Sequence, residues 1–130
     1  DYFRHWLAMG RKVAHPPRIF SVNWFRKNAE GKFAWPGFGE NMRVLRWIVE
    51  RSRGKAQARQ DALGLVPEYG DLDWSAARFD EAAFAGVMAH ERAQWERELA
   101  AHDELFAKLG DKRPAELVAE REKLASRLAA

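Results

Sequence analysis

Residues 23–41 read NWFRKNAEGKFAWPGFGEN and carry five aromatic residues interleaved with three basic ones. Near the end of this stretch, Phe38 stands between Gly37 and Gly39. Because glycine has no Cβ, the backbone on both sides of Phe38 can adopt angles closed to other residues and can approach a ligand closely. An aromatic ring held on such a loop is a stacking platform, worth ~1–3 kcal/mol per base. The pattern therefore indicates a possible site for a planar anion.

Glu40 and Asn41 follow this loop and open a predicted helix, whose first backbone N–H groups have no partner within the helix. The Asn41 amide offers one acceptor and two donors, which can match the O6 acceptor and the N1 and N2 donors of guanine. Simpler roles remain open at this point. Asn41 could serve only the first turn of the helix, and Trp24 and Trp35 are more often core residues than ligand contacts.

The residues before this stretch predict a helix from residue 2 that ends near Gly10. Residues 18–25 and 32–35 are rich in β-branched and aromatic side chains, which favours two short strands. A turn at 28–31 would join them into a small antiparallel β-hairpin at about residues 18–35.

After the loop, the apolar spacing predicts a helix over residues 40–53, with Gly54 as its C-terminal cap. Residues 55–79 lack periodicity and are interpreted as a connector that runs over the surface, with a short helix near 75–80.

Two long helices are predicted at residues 80–109 and 114–129, packed as an antiparallel pair. The fold class is therefore α+β and mostly α, as part of a larger α/β enzyme. Within one nucleotide-binding domain, the predicted parts are a guanine-binding segment (1–54), the connector (55–79) and a C-terminal helical hairpin (80–130).

Charge is unevenly distributed along the chain, although the formal net charge is only +3. Residues 1–60 hold 13 Lys and Arg against 4 Asp and Glu, and residues 61–130 hold 9 against 15. Ten aromatic residues also lie in residues 1–47. This half could bind a nucleotide or a single-stranded nucleic acid, or the two halves could simply attract each other.

The quoted stretch resembles the C-terminal region of GTP-dependent phosphoenolpyruvate carboxykinases. The similarity is carried by FRKNAEGKFAWPGFGENMRVLRWIVER at residues 25–51, supported by HWLAMG at 5–10 and PRIFSVNWF at 17–25, and it extends more weakly to the end. The resemblance implies conversion of oxaloacetate and GTP to phosphoenolpyruvate, GDP and CO2, a lyase reaction of gluconeogenesis that uses Mn²⁺ and Mg²⁺. It also implies that the chain is the C-terminal fragment of a longer cytoplasmic enzyme.

The resemblance further implies that guanine lies between the rings of Phe25 and Phe38. Phe33 would line the pocket, and Asn41 with nearby backbone atoms would bind the purine edge. The other implied contacts are Trp24 and Gly37 at the border of the pocket, with Gly39 and Glu40 acting through main-chain atoms.

No catalytic residue and no metal ligand is expected in this chain. It has no Cys and no GxxxxGK[ST] pattern, and its four His lack metal-ligand spacing. The resemblance implies that the phosphate loop, metal ligands, substrate-binding arginines and lid all lie upstream, so the isolated chain should be inactive. Its expected partners are GTP or GDP and the remainder of the enzyme, with self-association possible through exposed apolar surface. No apolar run is long enough to span a membrane.

Two other functions stay open from sequence alone. The first is a small basic-aromatic module for single-stranded nucleic acid, whose binding would fall steeply with salt. The second is a structural role in which the aromatics are buried and the C-terminal hairpin docks on the rest of the protein. Guanine-selective binding would distinguish the carboxykinase interpretation from both.

Overall fold

The computed structural model describes residues 1–129, and within this range the chain forms five α-helices and one two-stranded sheet. The helices are α1 (Tyr2–Lys12), α2 (Asn41–Ser52), α3 (Glu81–Met88), α4 (Arg92–Leu109) and α5 (Ala115–Ala129). The strands are β1 (Arg59–Asp61) and β2 (Gly64–Val66), and short 3₁₀ turns lie at Phe38–Glu40, Tyr69–Asp71 and Gly110–Lys112. None of the described helices is both long and apolar enough to cross a bilayer.

The chain divides into two units, one of residues 18–89 and the other of residues 1–17 with 90–129. The first unit has an aromatic core built around Trp47 of α2, Leu72, Phe79 and Phe84 of α3, all of them buried. The Trp74 ring packs against Phe79 with ring centroids 5.0 Å apart. Aromatic pairs in such edge and tilted arrangements add stabilisation beyond the area they bury.

In the second unit, α4 and α5 form a helical hairpin across the short connection at residues 110–114. Arg121 of α5 pairs with Asp103 of α4 at 2.6 Å. Both residues lie seven positions from this connection, which is the register of two antiparallel helices. Arg11 of α1 forms an exposed ion pair with Glu116 of α5 at 3.1 Å, and such exposed pairs contribute little to stability.

The predicted fold class is confirmed: the chain is mostly helical, with one small antiparallel hairpin and a C-terminal helical pair. The place of the hairpin differs from the prediction. The ladder pairs Arg59 with Val66 and Asp61 with Gly64, whereas residues 18–35 contain only the isolated bridge between Lys27 and Phe33.

Side-chain packing explains why residues 18–25 do not form a strand. Phe20 packs against Trp47 of α2 at 6.0 Å, and the Arg18 guanidinium donates to the Arg51 carbonyl at the end of that helix. The Asn23 side chain accepts from the Phe25 N–H at 3.0 Å, which turns the chain locally. The predicted turn is present, because the Gly31 N–H donates to the Asn28 carbonyl at 3.0 Å.

Three predicted helix positions also differ. α1 continues through Gly10 to Lys12, and residues 75–80 form no helix because Asp80 instead caps α3, accepting from the Ala83 N–H at 2.8 Å. The helix predicted over 80–109 is broken between α3 and α4, where Ala89 adopts an extended conformation. Helical spacing of apolar residues on both sides of a short break cannot reveal the break itself.

The segment predicted as a surface connector contributes to the core. Leu72 is buried, and Tyr69 stacks on Trp74 with centroids 5.7 Å apart. A reciprocal capping box between Glu68 and Asp71 holds the 3₁₀ turn that places these rings. Residues 55–79 bury single side chains between turns, which explains why their sequence shows no helical or strand periodicity.

We predict that Leu72→Ala lowers the free energy of unfolding by about 2–5 kcal/mol, because it leaves a cavity in the core. Leu65→Ala is the matched control, since Leu65 is 55% exposed in the neighbouring strand β2, and it should change stability by less than about 0.5 kcal/mol. Urea denaturation followed by Trp fluorescence measures both. Equal effects of the two substitutions would contradict the assignment of residues 55–79 to the core.

Candidate functional site

Three of the predicted base contacts lie on the surface of the 18–89 unit. Phe38 is 90% exposed, Phe25 is 73% exposed and Phe33 is 60% exposed. Large aromatic rings this exposed are not part of the core, so their packing within the described chain does not explain them. Their exposure leaves all three ring faces accessible to a ligand.

Phe25 and Phe33 lie next to each other on the two sides of the turn. Their ring centroids are 6.0 Å apart at an interplanar angle of 66°, and the Lys27 ammonium lies 5.9 Å from the Phe33 centroid. Backbone hydrogen bonds between Asn28 and Lys32 and between Ala34 and Arg26, both 2.8 Å, hold the two sides together. The turn therefore presents an aromatic pair with one cation beside it.

Phe38 stands on a separate loop whose shape depends on Gly37. Gly37 has φ 130° and ψ 177°, a backbone region that is essentially restricted to glycine. The Glu40 N–H donates to the Gly37 carbonyl at 3.1 Å and closes the 3₁₀ turn that carries Phe38. Within residues 1–129, Phe38 makes no ring contact with another aromatic side chain.

Trp24 and Trp35 form the inner side of the site. Trp35 is 7% exposed and packs against Trp24 at 5.4 Å and against Phe79 at 5.9 Å. Trp24 is half-buried. The sequence favoured core packing for both indoles; Trp35 is buried in the core, and Trp24 packs against it while half-buried.

Asn41 is the first residue of α2, and its side chain is tied to that inner layer. The Trp35 indole Nε1–H donates to Asn41 Oδ1 at 2.8 Å. The sequence pattern gave no direct indication of this bond. One signal could have pointed to it, because a buried indole N–H generally needs an acceptor nearby.

The Glu40 side chain takes part in a local ion pair. The Glu40 carboxylate accepts from the Arg43 guanidinium in a partly buried pair. That guanidinium also lies over the Trp74 ring, 5.5 Å from its centroid. The Glu40 side chain is engaged in this pair, and its main-chain N–H donates to the Gly37 carbonyl.

Arg26 lies beside the turn but is not a solvated charge. Its side chain is partly buried, and Nη1 donates to the Val87 carbonyl at 2.7 Å. Arg26 therefore anchors the aromatic turn to the end of α3. Lys27 and Lys32 are exposed, as expected for turn charges.

A cavity of about 450 Å³ lies beside α2, lined by residues of mixed charge. Of the predicted contacts, it includes Gly39 but none of the phenyl rings, so it is not the base-binding slot that the resemblance implies. Hydrogen bonds from Ser75 hold the pKa of Asp73, at the rim, below its usual value. The lining residues are Gly39, Met42, Arg43, Arg46, Trp47, Glu50, Gly70, Asp71 and Asp73.

The described part of the chain offers no set of metal ligands. No group of three or more His, Cys, Asp or Glu comes together among residues 1–129. The Mn²⁺ and Mg²⁺ that the resemblance implies therefore do not fit this chain on its own.

Comparison with known proteins gives a consistent result along the whole chain. Residues 1–127 match the family model described as the phosphoenolpyruvate carboxykinase C-terminal P-loop domain. Phosphoenolpyruvate carboxykinase [GTP] of Anaeromyxobacter dehalogenans strain 2CP-C is 45% identical over 130 residues, 100% of this chain and 22% of the relative. The protein of the same name from Arthrobacter sp. strain FB24 is 44% identical over 99% of the chain and 21% of the relative. The chain thus spans about a fifth of the length of these curated relatives.

We predict that Gly37→Ala destabilises the protein by roughly 1–3 kcal/mol, because alanine is strained at this φ and ψ. Gly39→Ala is the matched control. Gly39 has no positive φ, and a Cβ added there meets nothing within 4 Å. Thermal unfolding of the two variants tests the prediction, and a Gly37→Ala protein as stable as Gly39→Ala would show that the loop does not require glycine at 37.

Proposed function

This chain belongs to the GTP-dependent phosphoenolpyruvate carboxykinase family, and from that premise we propose that it is the guanine-binding part of such an enzyme. The complete reaction would convert oxaloacetate and GTP to phosphoenolpyruvate, GDP and CO2, in the cytoplasm. The contribution of this chain is binding and orientation of the nucleotide. Proton transfer, phosphoryl activation and metal coordination belong to parts of the enzyme outside it.

One observation carries this proposal: Phe25, Phe33 and Phe38 are all exposed on the 18–89 unit, the first two beside one turn and Phe38 on the next loop along the chain. Guanine would stack between Phe25 and Phe38, with Phe33 at its edge, and Asn41 would bind the purine rim. Trp24 and Gly37 would border the pocket, and Gly39 and Glu40 would contribute main-chain groups. A base held between two rings sets the direction in which the triphosphate extends from the site, which is a positioning contribution to catalysis.

We predict that Phe38→Ala weakens GTP binding by roughly 5- to 150-fold, because it removes one stacking face. Its effect on oxaloacetate affinity should be modest. Phe38→Trp is the matched control, since it keeps an aromatic face at the same position. The measurement is Trp fluorescence quenching by GTP and ATP in the full-length protein that contains this chain, together with KM for each substrate.

The same titration distinguishes the alternative functions. Guanine-selective quenching supports the proposal, whereas binding of oligonucleotides alone, falling steeply with salt, supports a single-stranded nucleic-acid module. Equal losses of GTP and oxaloacetate affinity in Phe38→Ala would contradict a role in base stacking. The isolated chain is expected to show no decarboxylation of oxaloacetate.

We further propose that the rest of the enzyme packs on an apolar stripe of α2. Met42, Leu45 and Val49 are 67%, 42% and 45% exposed and follow each other at helical spacing. The opposite side of α2 buries Trp47 in the core. The relatives are about five times longer than this chain, so in a full-length enzyme the additional residues would cover the stripe. Without them, the exposed stripe favours self-association.

We predict that Leu45→Glu reduces self-association of the isolated chain, because it places a charge on the stripe. Arg53→Gln is the matched control: it changes the net charge by the same amount at an exposed position just beyond α2. Light scattering coupled to size-exclusion chromatography measures the mass over a range of concentrations. A monomeric wild-type chain, or equal effects of both variants, would argue against the stripe as the contact surface.

A further inference from the structure

We infer that Trp35 is a positioning residue that selects a 6-oxo purine by fixing the orientation of the Asn41 amide. The inference rests on the proposed function, in which Asn41 binds the purine edge. It adds a role for a residue that lies behind the site, together with the chemical group on the base that is recognised.

The orientation follows from the chemistry of the two side chains. An asparagine amide can be turned by 180° without changing its shape, so its oxygen and nitrogen are often hard to assign. An indole Nε1–H, in contrast, can only donate. The amide atom that lies 2.8 Å from Trp35 Nε1 must therefore be the Asn41 oxygen.

The indole is itself held rigidly, which makes it a suitable reference point. Trp35 is 7% exposed, and its ring contacts Trp24, Trp74 and Phe79 at centroid distances of 5.4, 6.0 and 5.9 Å. A side chain packed on this many sides does not change rotamer freely. Its N–H direction is consequently fixed by the core, and Asn41 takes its orientation from it.

Because the Asn41 oxygen accepts from Trp35, the NH2 group is the part of the amide that remains to bind a ligand. Within residues 1–129 this NH2 has no hydrogen-bond partner. It can donate to O6 of guanine, which is an acceptor, whereas adenine carries a donor NH2 at the same position. A donor that faces a donor stays unsatisfied, and a partly buried unsatisfied group is costly.

Hypoxanthine has the same 6-oxo group as guanine and lacks only the 2-amino group. The Trp35–Asn41 pair should therefore separate GTP and ITP together from ATP. It should contribute nothing to the distinction between GTP and ITP.

The test measures Kd for GTP, ITP and ATP, and kcat/KM for each, in the full-length protein with Trp35→Phe. This substitution keeps an aromatic ring in the core and removes only the donor and part of the indole. The GTP-to-ATP preference is expected to fall roughly ten-fold, which corresponds to one lost hydrogen bond. The GTP-to-ITP ratio should stay unchanged.

Trp74→Phe is the matched control. Trp74 belongs to the same aromatic cluster, and its Nε1–H donates at 3.0 Å to the Tyr69 carbonyl rather than to a predicted base contact. It should leave the GTP-to-ATP preference unchanged. If Trp35→Phe and Trp74→Phe weaken all three nucleotides alike, Trp35 acts through packing alone and the inference is wrong.

One variant at Asn41 remains informative if Trp35→Phe does not fold, and a second gives a double-mutant test if it does. Asn41→Asp still accepts from Trp35 but presents a second acceptor to the base, so the preference should shift towards ATP. In an Asn41→Ala protein, adding Trp35→Phe should change the preference no further, because the effect of Trp35 passes through Asn41. Additive effects of the two substitutions would overturn the inference.

These outcomes separate the inference from the function on which it rests. A wild-type protein without preference for GTP over ATP would refute guanine recognition, and with it the role of Trp35. A wild-type protein that prefers GTP, with the preference intact in Trp35→Phe but lowered in Asn41→Asp, would refute only the role of Trp35.

Discussion

The hydrogen bond from Trp35 to Asn41 joins the aromatic core of the 18–89 unit to the start of α2, directly after the turn that carries Phe38. Trp35 packs against Trp74 and Phe79, and its N–H reaches the first residue of α2 at 2.8 Å. This polar contact adds to the burial of Trp47 and to the Arg43 guanidinium over Trp74 in fixing the start of α2 to the core. A loop tied in this way loses less entropy when it orders around a ligand, which favours binding.

The division of the aromatic residues between core and surface does not follow strand alternation. Phe33 and Trp35 are two residues apart and would share one face of a regular strand, yet Phe33 is 60% exposed and Trp35 is buried. The last backbone hydrogen bond across the turn runs from the Ala34 N–H to the Arg26 carbonyl, and the chain bends at residues 34–35. The irregular backbone allows a short segment to supply both a core indole and an exposed phenyl ring.

The sequence was sufficient for features that depend on local chemistry. Helical spacing identified α1, α2 and α5, and Gly54, at φ 72°, ends α2 as predicted. Features set by distant partners could not be obtained in this way. Arg26 is anchored by the Val87 carbonyl, 61 positions away, and residues 18–25 pack on α2 rather than on a second strand. For the site, the residue pattern alone identified Phe38 and Asn41 as candidates, whereas Phe25 and Phe33 came from family resemblance. The hydrogen bond from Trp35 to Asn41 is visible only in the three-dimensional structure.

The contacts of basic residues in the first half of the chain bear on whether this half could bind a nucleic acid. Arg18 and Arg51 donate to the backbone carbonyls of Arg51 and Ala56, and Arg43 pairs with Glu40. Charges tied down in this way hold turns and helix ends, and they do not form a continuous track for a phosphate backbone. A single-stranded nucleic-acid site combines such a track with its stacking rings. Here Lys27 is the cation that lies beside an exposed ring, over Phe33. Rings with so few accompanying cations are better suited to one base than to a strand.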